Sequence, residues 1–154
     1  MRKSYALLAP LFLILVLGAC VPLKSGVPPC SVPSAQEMAD AVNVDRATHG
    51  LPLVTVDAEL TAMAHGWAAQ MASDGLLYHS PLWHRHRWLP GGGSVIASEN
   101  IAGPGDCYSA AVWEVGWMGS PSHRANILDP DWTRFGGAVV TGADGRTWAV
   151  QEFT

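Results

Sequence analysis

Three short stretches carry side chains that could do chemistry together: Tyr78-His79-Ser80, Ser98-Glu99-Asn100 and Ser120-Pro121-Ser122-His123-Arg124. Two histidines and one glutamate form a donor set that binds Zn²⁺, or another divalent metal, while leaving a position for water. The residues around His123 favour a neutral ring. Ser120 suits the N-cap and Pro121 the first turn of a short helix, which must stop before Pro130. His123 then falls at the third helical position, where the positive end of the dipole disfavours imidazolium and preserves a metal-binding lone pair. An exposed histidine with no role would fit the same residues, so residue type alone leaves both readings open.

The surrounding pattern predicts the elements that must position these groups. Ser34-Ala35-Gln36-Glu37 reads as a capping box opening a helix that runs to about His49 and stops at Gly50. Asp57 suits the N-cap of a second helix, with Glu59 placed well against its positive end. Leu60, Met63, Ala64, Trp67 and Met71 form one apolar stripe along it, and Asp74-Gly75 ends it. His65, on the flank of that stripe, is given no role. A third helix fits residues 109–118, with Val112, Trp113 and Trp117 facing inward. Residues 135–141 and 146–153 read as two strands joined across Asp144-Gly145, a strong hairpin signal. Residues 81–98, with three glycines between prolines and a His/Arg/Trp cluster, read as a mobile loop. His84 and His86 there could offer a weaker second metal site, although solvated loop histidines are commoner. Helices followed by a terminal antiparallel hairpin predict an α+β fold.

The chain has 154 residues, 49% of them hydrophobic, enough for one domain with a real core. Its formal net charge of −4, without a basic run, argues against a nucleic-acid partner. Arg2-Lys3 followed by the apolar residues 6–17 reads as a signal segment covering residues 1–19. Leu17-Gly18-Ala19-Cys20 resembles the lipobox of bacterial lipoproteins, which implies lipid attachment at Cys20 and anchoring to the membrane through that lipid. Residues 20–33 are proline-rich and read as a tether. In an exported chain the two remaining cysteines, Cys30 and Cys107, are expected to form one disulfide, worth roughly 4 kcal/mol by loop entropy.

The motifs taken together resemble the CAP superfamily (cysteine-rich secretory, antigen-five and pathogenesis-related proteins), in its bacterial SCP-like branch. The resemblance is carried by Asn43-Val44-Asp45-Arg46, Tyr78-His79-Ser80, Ser98-Glu99-Asn100-Ile101-Ala102, Ser120-Pro121-Ser122-His123-Arg124-Ala125-Asn126-Ile127-Leu128 and Trp148-Ala149-Val150-Gln151-Glu152-Phe153. It covers a domain spanning residues 34–154. It implies a three-layer α-β-α sandwich with a small antiparallel sheet, and a cleft where two histidines and two acids meet. By position His79, Glu99 and His123 match three members of that tetrad as metal ligands. The position counted for the second acid holds Ser120, so the tetrad reads as incomplete. Glu114, one turn earlier, reads as a solvated helix charge, Asn100 and Asn126 as hydrogen bonders, and Arg124 as a partner of Asp129 or Asp131.

With an acid missing and no G-x-S-x-G or H-E-x-x-H motif, no catalytic residue is assigned. The sequence thus predicts an exported, lipid-anchored envelope protein that binds a lipid, glycan or peptide in a metal-capable cleft. The alternative is a metal-assisted hydrolase of peptide or cell-wall substrates.

Overall fold

The computed structural model describes residues 31–88 and 94–154; the signal segment, Cys20 and Cys30 lie outside the described residues. The first helix, α1 (Ala35–Thr48), opens on the expected capping box, with Ser34 and Glu37 satisfying each other's backbone N–H groups. Gly50 follows it at φ 69°, a conformation that favours glycine. After the two-residue strand β1 (Thr55–Val56) comes α2 (Ala58–Asp74). The Asp57 carboxylate accepts from the N–H groups of Glu59 and Leu60, and Gly75 ends the helix in the left-handed region. The predicted stripe is the buried face: Leu60, Met63, Ala64, Trp67 and Met71, joined by Ala68.

Residues 82–88 and 94–96 depart from the expected loop. Leu82–Arg85 makes one helical turn (α3), and His86–Trp88 (β2) pairs antiparallel with Ser94–Ile96 (β3). Val95 and the β-branched Ile96 suit the hairpin's second strand, a local preference that the glycines and prolines nearby had masked. Ser98–Gly105 forms β4, followed by α4 (Ala110–Met118) and α5 (Pro121–Ile127). The chain closes on β5 (Arg134–Thr141) and β6 (Thr147–Phe153).

Four strands build the central sheet in the order β1-β5-β6-β4. β4, β6 and β5 are antiparallel neighbours, whereas β1 joins β5 in parallel, so the sheet is mixed rather than wholly antiparallel. Because strand side chains alternate, β6 serves two cores. Trp148 and Val150 pack with Ile101, Ala138 and the α2 residues Ala64, Trp67, Ala68 and Met71. Ala149 and Phe153 pack on the opposite face with Met38, Ala39 and Val42 of α1, Trp113 and Trp117 of α4, and Ile127 of α5. Helices therefore cover both faces, giving the α-β-α sandwich that the resemblance implied. Arg46, fully buried, ties α1 to the chain beyond α5 by donating to the carbonyls of Ile127, Asp129 and Trp132. No helix among the described residues is long and apolar enough to cross a membrane.

Candidate functional site

Strand β4 is the edge of the central sheet, and the predicted site residues gather around it. Glu99 on β4 is 3% exposed, and its Oε1 accepts from His79 Nδ1 at 2.7 Å and from the Ser80 backbone N–H at 3.0 Å. With the carboxylate as acceptor, the His79 proton resides on Nδ1 and the lone pair on Nε2 is left for a ligand. The His79 side chain is 55% exposed, so that nitrogen is accessible.

His123 occupies the third helical position of α5, as the N-cap reading required. Burial lowers its pKa first, and the neighbouring His79 lowers it further. The neutral ring expected from the helix dipole is thus favoured mainly by desolvation. Its ring forms one wall of a pocket of about 340 Å³ with Ile101, Ala102, Tyr108, Val112, Trp113 and Trp117. Two imidazoles therefore approach each other beside an apolar hollow, with an anionic group behind one of them.

Among the described residues no group of three or more His, Cys, Asp or Glu side chains is placed to hold an ion. Glu99 directs one oxygen at His79 and Ser80. Its position in the β4–β6 ladder sets it opposite Glu152. The arrangement suits two imidazole donors with Glu99 as the orienting partner of His79.

Glu152 is the acid that sequence reasoning missed. It is fully buried and stands opposite Glu99 across the ladder, with both of its carboxyl oxygens shielded from solvent. Burial and then the Glu99 charge push its pKa up to about 9, so at neutral pH it is a carboxylic acid able to donate to Glu99. The available signal was Gln151-Glu152, two polar residues inside an otherwise apolar terminal strand. Ser120, counted as the acid's position, instead sits at the pocket lip and at the N-cap of α5, with no side-chain hydrogen bond to the helix backbone.

One residue along, the ladder presents amides. Asn100 donates to the His123 carbonyl (3.2 Å) and to Gln151 Oε1 (3.0 Å), while its Oδ1 accepts from Asn126 (2.8 Å). Asn126 also donates to the Glu99 carbonyl at 3.2 Å. These amides brace the backbone of both Glu99 and His123, the hydrogen-bonding role expected for them. Asn100 does so from a strand rather than a loop.

Three expectations are corrected. Glu114 is 3% exposed rather than solvated, because its face of α4 turns toward Gln151, whose Nε2 donates to it at 2.7 Å. Val112, expected inward, is 51% exposed and contributes only a pocket edge. Arg124 donates to His49 Nε2 at 2.8 Å instead of pairing with Asp129 or Asp131. His49 Nδ1 lies 2.7 Å from the Asp45 carbonyl and donates to it, which leaves Nε2 as the acceptor. His84 packs against the Trp67 and Trp83 rings, and burial lowers its pKa.

The chain belongs to the cysteine-rich secretory protein (CAP) family, whose family model matches residues 39–153. An outer surface protein from Borrelia burgdorferi superposes with a TM-score of 0.62 at 16% identity, over 77% of this chain and 89% of that one. An extracellular SCP-domain protein from Bacillus anthracis superposes with a TM-score of 0.61 at 26% identity, over 77% of this chain but only 39% of that longer one. NaASP2, solved with Zn²⁺, shares the fold with a TM-score of 0.60 at 14% identity, over 83% of this chain and 82% of its own. No curated protein matches the chain.

Proposed function

We propose that this chain is an exported CAP-domain ligand-binding module of the bacterial cell envelope, anchored by lipid on Cys20. Its cleft takes a lipid, glycan or peptide whose apolar part enters the pocket and whose polar part meets the two imidazoles. The observation that carries this reading is His123 on the wall of a pocket lined by Ile101, Trp113 and Trp117, with His79, held by Glu99, near enough to His123 to lower its pKa. Surface and extracellular relatives of the same fold support export.

A divalent metal belongs to the same proposal. His79 Nε2 and His123 would hold it, with Glu99 fixing the His79 tautomer; a metal there would supply a Lewis-acidic centre for polar ligand atoms. The Zn²⁺ complex of NaASP2 supports this choice of ion. Titrating Zn²⁺ into the full chain and into His79→Ala and His123→Ala tests it. Each substitution is expected to weaken binding at least tenfold, and equal affinity in all three removes the metal from the proposal.

Binding is preferred over hydrolysis because Glu152 is sealed behind Glu99 and reaches no substrate. Turnover of a peptide or cell-wall substrate that is lost in Glu99→Gln would reverse that preference. A Cys30–Cys107 disulfide completes the proposal, supported by the 3.9 Å approach of Cys107 Sγ to the carbonyl oxygen of Ser31. Thiol titration of the exported chain is expected to find neither cysteine reactive.

A further inference from the structure

The central sheet is left open along β5. Arg134 exchanges both backbone hydrogen bonds with Thr154, so by strand alternation Gly136, Ala138 and Val140 turn their N–H and C=O groups toward β6. Phe135, Gly137 and Val139 turn theirs the other way. Phe135 is met there, its carbonyl accepting from the Asp57 N–H at 2.8 Å, because β1 lies alongside in parallel register. Beyond that point the neighbouring strand ends. Asp57 caps α2, and the Leu60 carbonyl carbon lies 2.1 Å from where a Cβ on Gly136 would stand, so the chain crosses onto the face of the sheet instead of following its edge. Gly137 and Val139 keep two N–H and two C=O groups with no partner among the described residues, although both residues are buried. Buried backbone groups are almost always paired, and each unpaired one costs on the order of 1–3 kcal/mol.

A groove of about 360 Å³ opens on this edge. Residues 137–139 of β5 line it, between Val32 and Pro33 before α1 on one side and Thr61 and His65 of α2 on the other. Glu37 is the acid in its lining, and Ser34 already donates to it from its backbone N–H at 2.7 Å and its hydroxyl at 2.8 Å. With that acid engaged, the groove offers mainly neutral walls and a row of backbone donors and acceptors. Such groups, at the two-residue spacing of a strand, are the complement of another polypeptide backbone. The recess selects a single extended chain. A second copy of this protein carries its own β5 edge between the same two helices, and those helices would meet before the strands did.

We propose that the free edge of β5 is a peptide-binding site, where an extended segment with small, neutral side chains adds as a strand beside Gly137 and Val139. Its backbone satisfies the four unpaired groups, and its alternate side chains face the two walls. The close approach of α2 to β5 keeps those side chains small. Pairing there continues the line of β1 past Val56 and leaves the cleft untouched, since β4 lies at the opposite edge of the sheet. This inference does not depend on what the cleft binds.

Amide hydrogen exchange, read by NMR on the full chain, tests it. In the free chain Gly137 and Val139 are expected to show protection at least tenfold lower than Ala138 and Val140, whose N–H groups bond β6. The probe acetyl-Thr-Ala-Val-Ala-Thr-amide is expected to slow exchange at the first two at least tenfold and to leave the other two unchanged. An extended chain turns alternate N–H groups to one side. N-methylation of one alternate set in the probe should therefore abolish the added protection, whereas methylation of the other set should preserve it. His65→Trp, at an exposed position, fills the groove without altering β5 and should also abolish it, with Ala138 and Val140 reporting an intact fold. Gly137 and Val139 as slow as their neighbours in the free chain would mean an edge already covered, by the tether or a second copy, and would overturn the proposal. So would absent protection by the probe, equal effects of the two methylated sets, or undiminished protection in His65→Trp.

Discussion

The two faces of the β4–β6 ladder solve the same problem differently. On the α2 face Glu99 stands opposite Glu152, an acid against an acid. One residue further, on the α4–α5 face, Asn100 stands opposite Gln151, an amide against an amide that passes a hydrogen bond on to Glu114. Two carboxyls in contact cannot both ionise cheaply, so the first face retains a proton and holds Glu99 in place for His79. Amides both donate and accept, so the second face links three elements without any net charge. The lesson is one of parity: a slip of one residue in this ladder would exchange the acid pair and the amide pair between the two cores.

The largest effect is expected from breaking the amide face. Gln151→Leu strands Glu114 Oε2 and one Asn100 donor, and should cost about 2–4 kcal/mol at roughly 1–3 per unmet group, read from urea unfolding. Glu152→Gln on the acid face keeps an N–H to replace the acid proton toward Glu99 and removes a group that the unfolded chain would ionise, so near neutral pH it should raise stability by about 1–3 kcal/mol rather than lower it. Similar losses from both would contradict the distinction between the faces.

The pH dependence of stability sharpens it further. Both buried acids hold their proton more tightly folded than unfolded, with pKa values of about 7 for Glu114 and about 9 for Glu152 against an ordinary 4.5. Below pH 4.5 neither contributes a slope. Above it the unfolded chain loses protons that the folded chain keeps, so stability falls as pH rises, until each folded pKa is passed. Each acid contributes a slope of up to about 1.4 kcal/mol per pH unit within its window. Glu114→Gln should flatten the curve between about pH 4.5 and 7 only, raising stability at pH 8 by about 1–3 kcal/mol. Glu152→Gln should flatten it up to about pH 9. Thermal melts across this range read both effects, and identical windows would erase the difference between the acids. The smallest effect belongs to Val112→Ala, exposed on α4, which should change stability by less than about 0.5 kcal/mol.

Local signals were legible where the chemistry is local. The Ser34–Glu37 box, the Asp57 cap and the stripe from Leu60 to Met71 need only neighbours within a turn or two, and the helices they define are present. Pro121 and Ser120 likewise placed His123 at the third position of α5. The hairpin was legible for the same reason, because its turn lies between its strands. β4 was not, since Ser98–Gly105 carries glycines and a proline and becomes a strand only by pairing with β6, some fifty residues away. Val112 and Glu114 were exchanged between inside and outside because α4 is apolar nearly all round, so its periodicity does not say which side meets α1.

The sequence by itself determined the helices, the terminal hairpin, the family, and His79, Glu99 and His123 as residues worth bringing together. Tertiary structure decided what those residues do. The pairing of β4 with β6 set Glu152 behind Glu99, turned Gln151 toward Glu114, and braced His123 through Asn100. None of these contacts is fixed by spacing along the chain. Each follows from strand register, which packing on both faces of the sheet selects, and from burial, which sets the charge of an acid once it is enclosed.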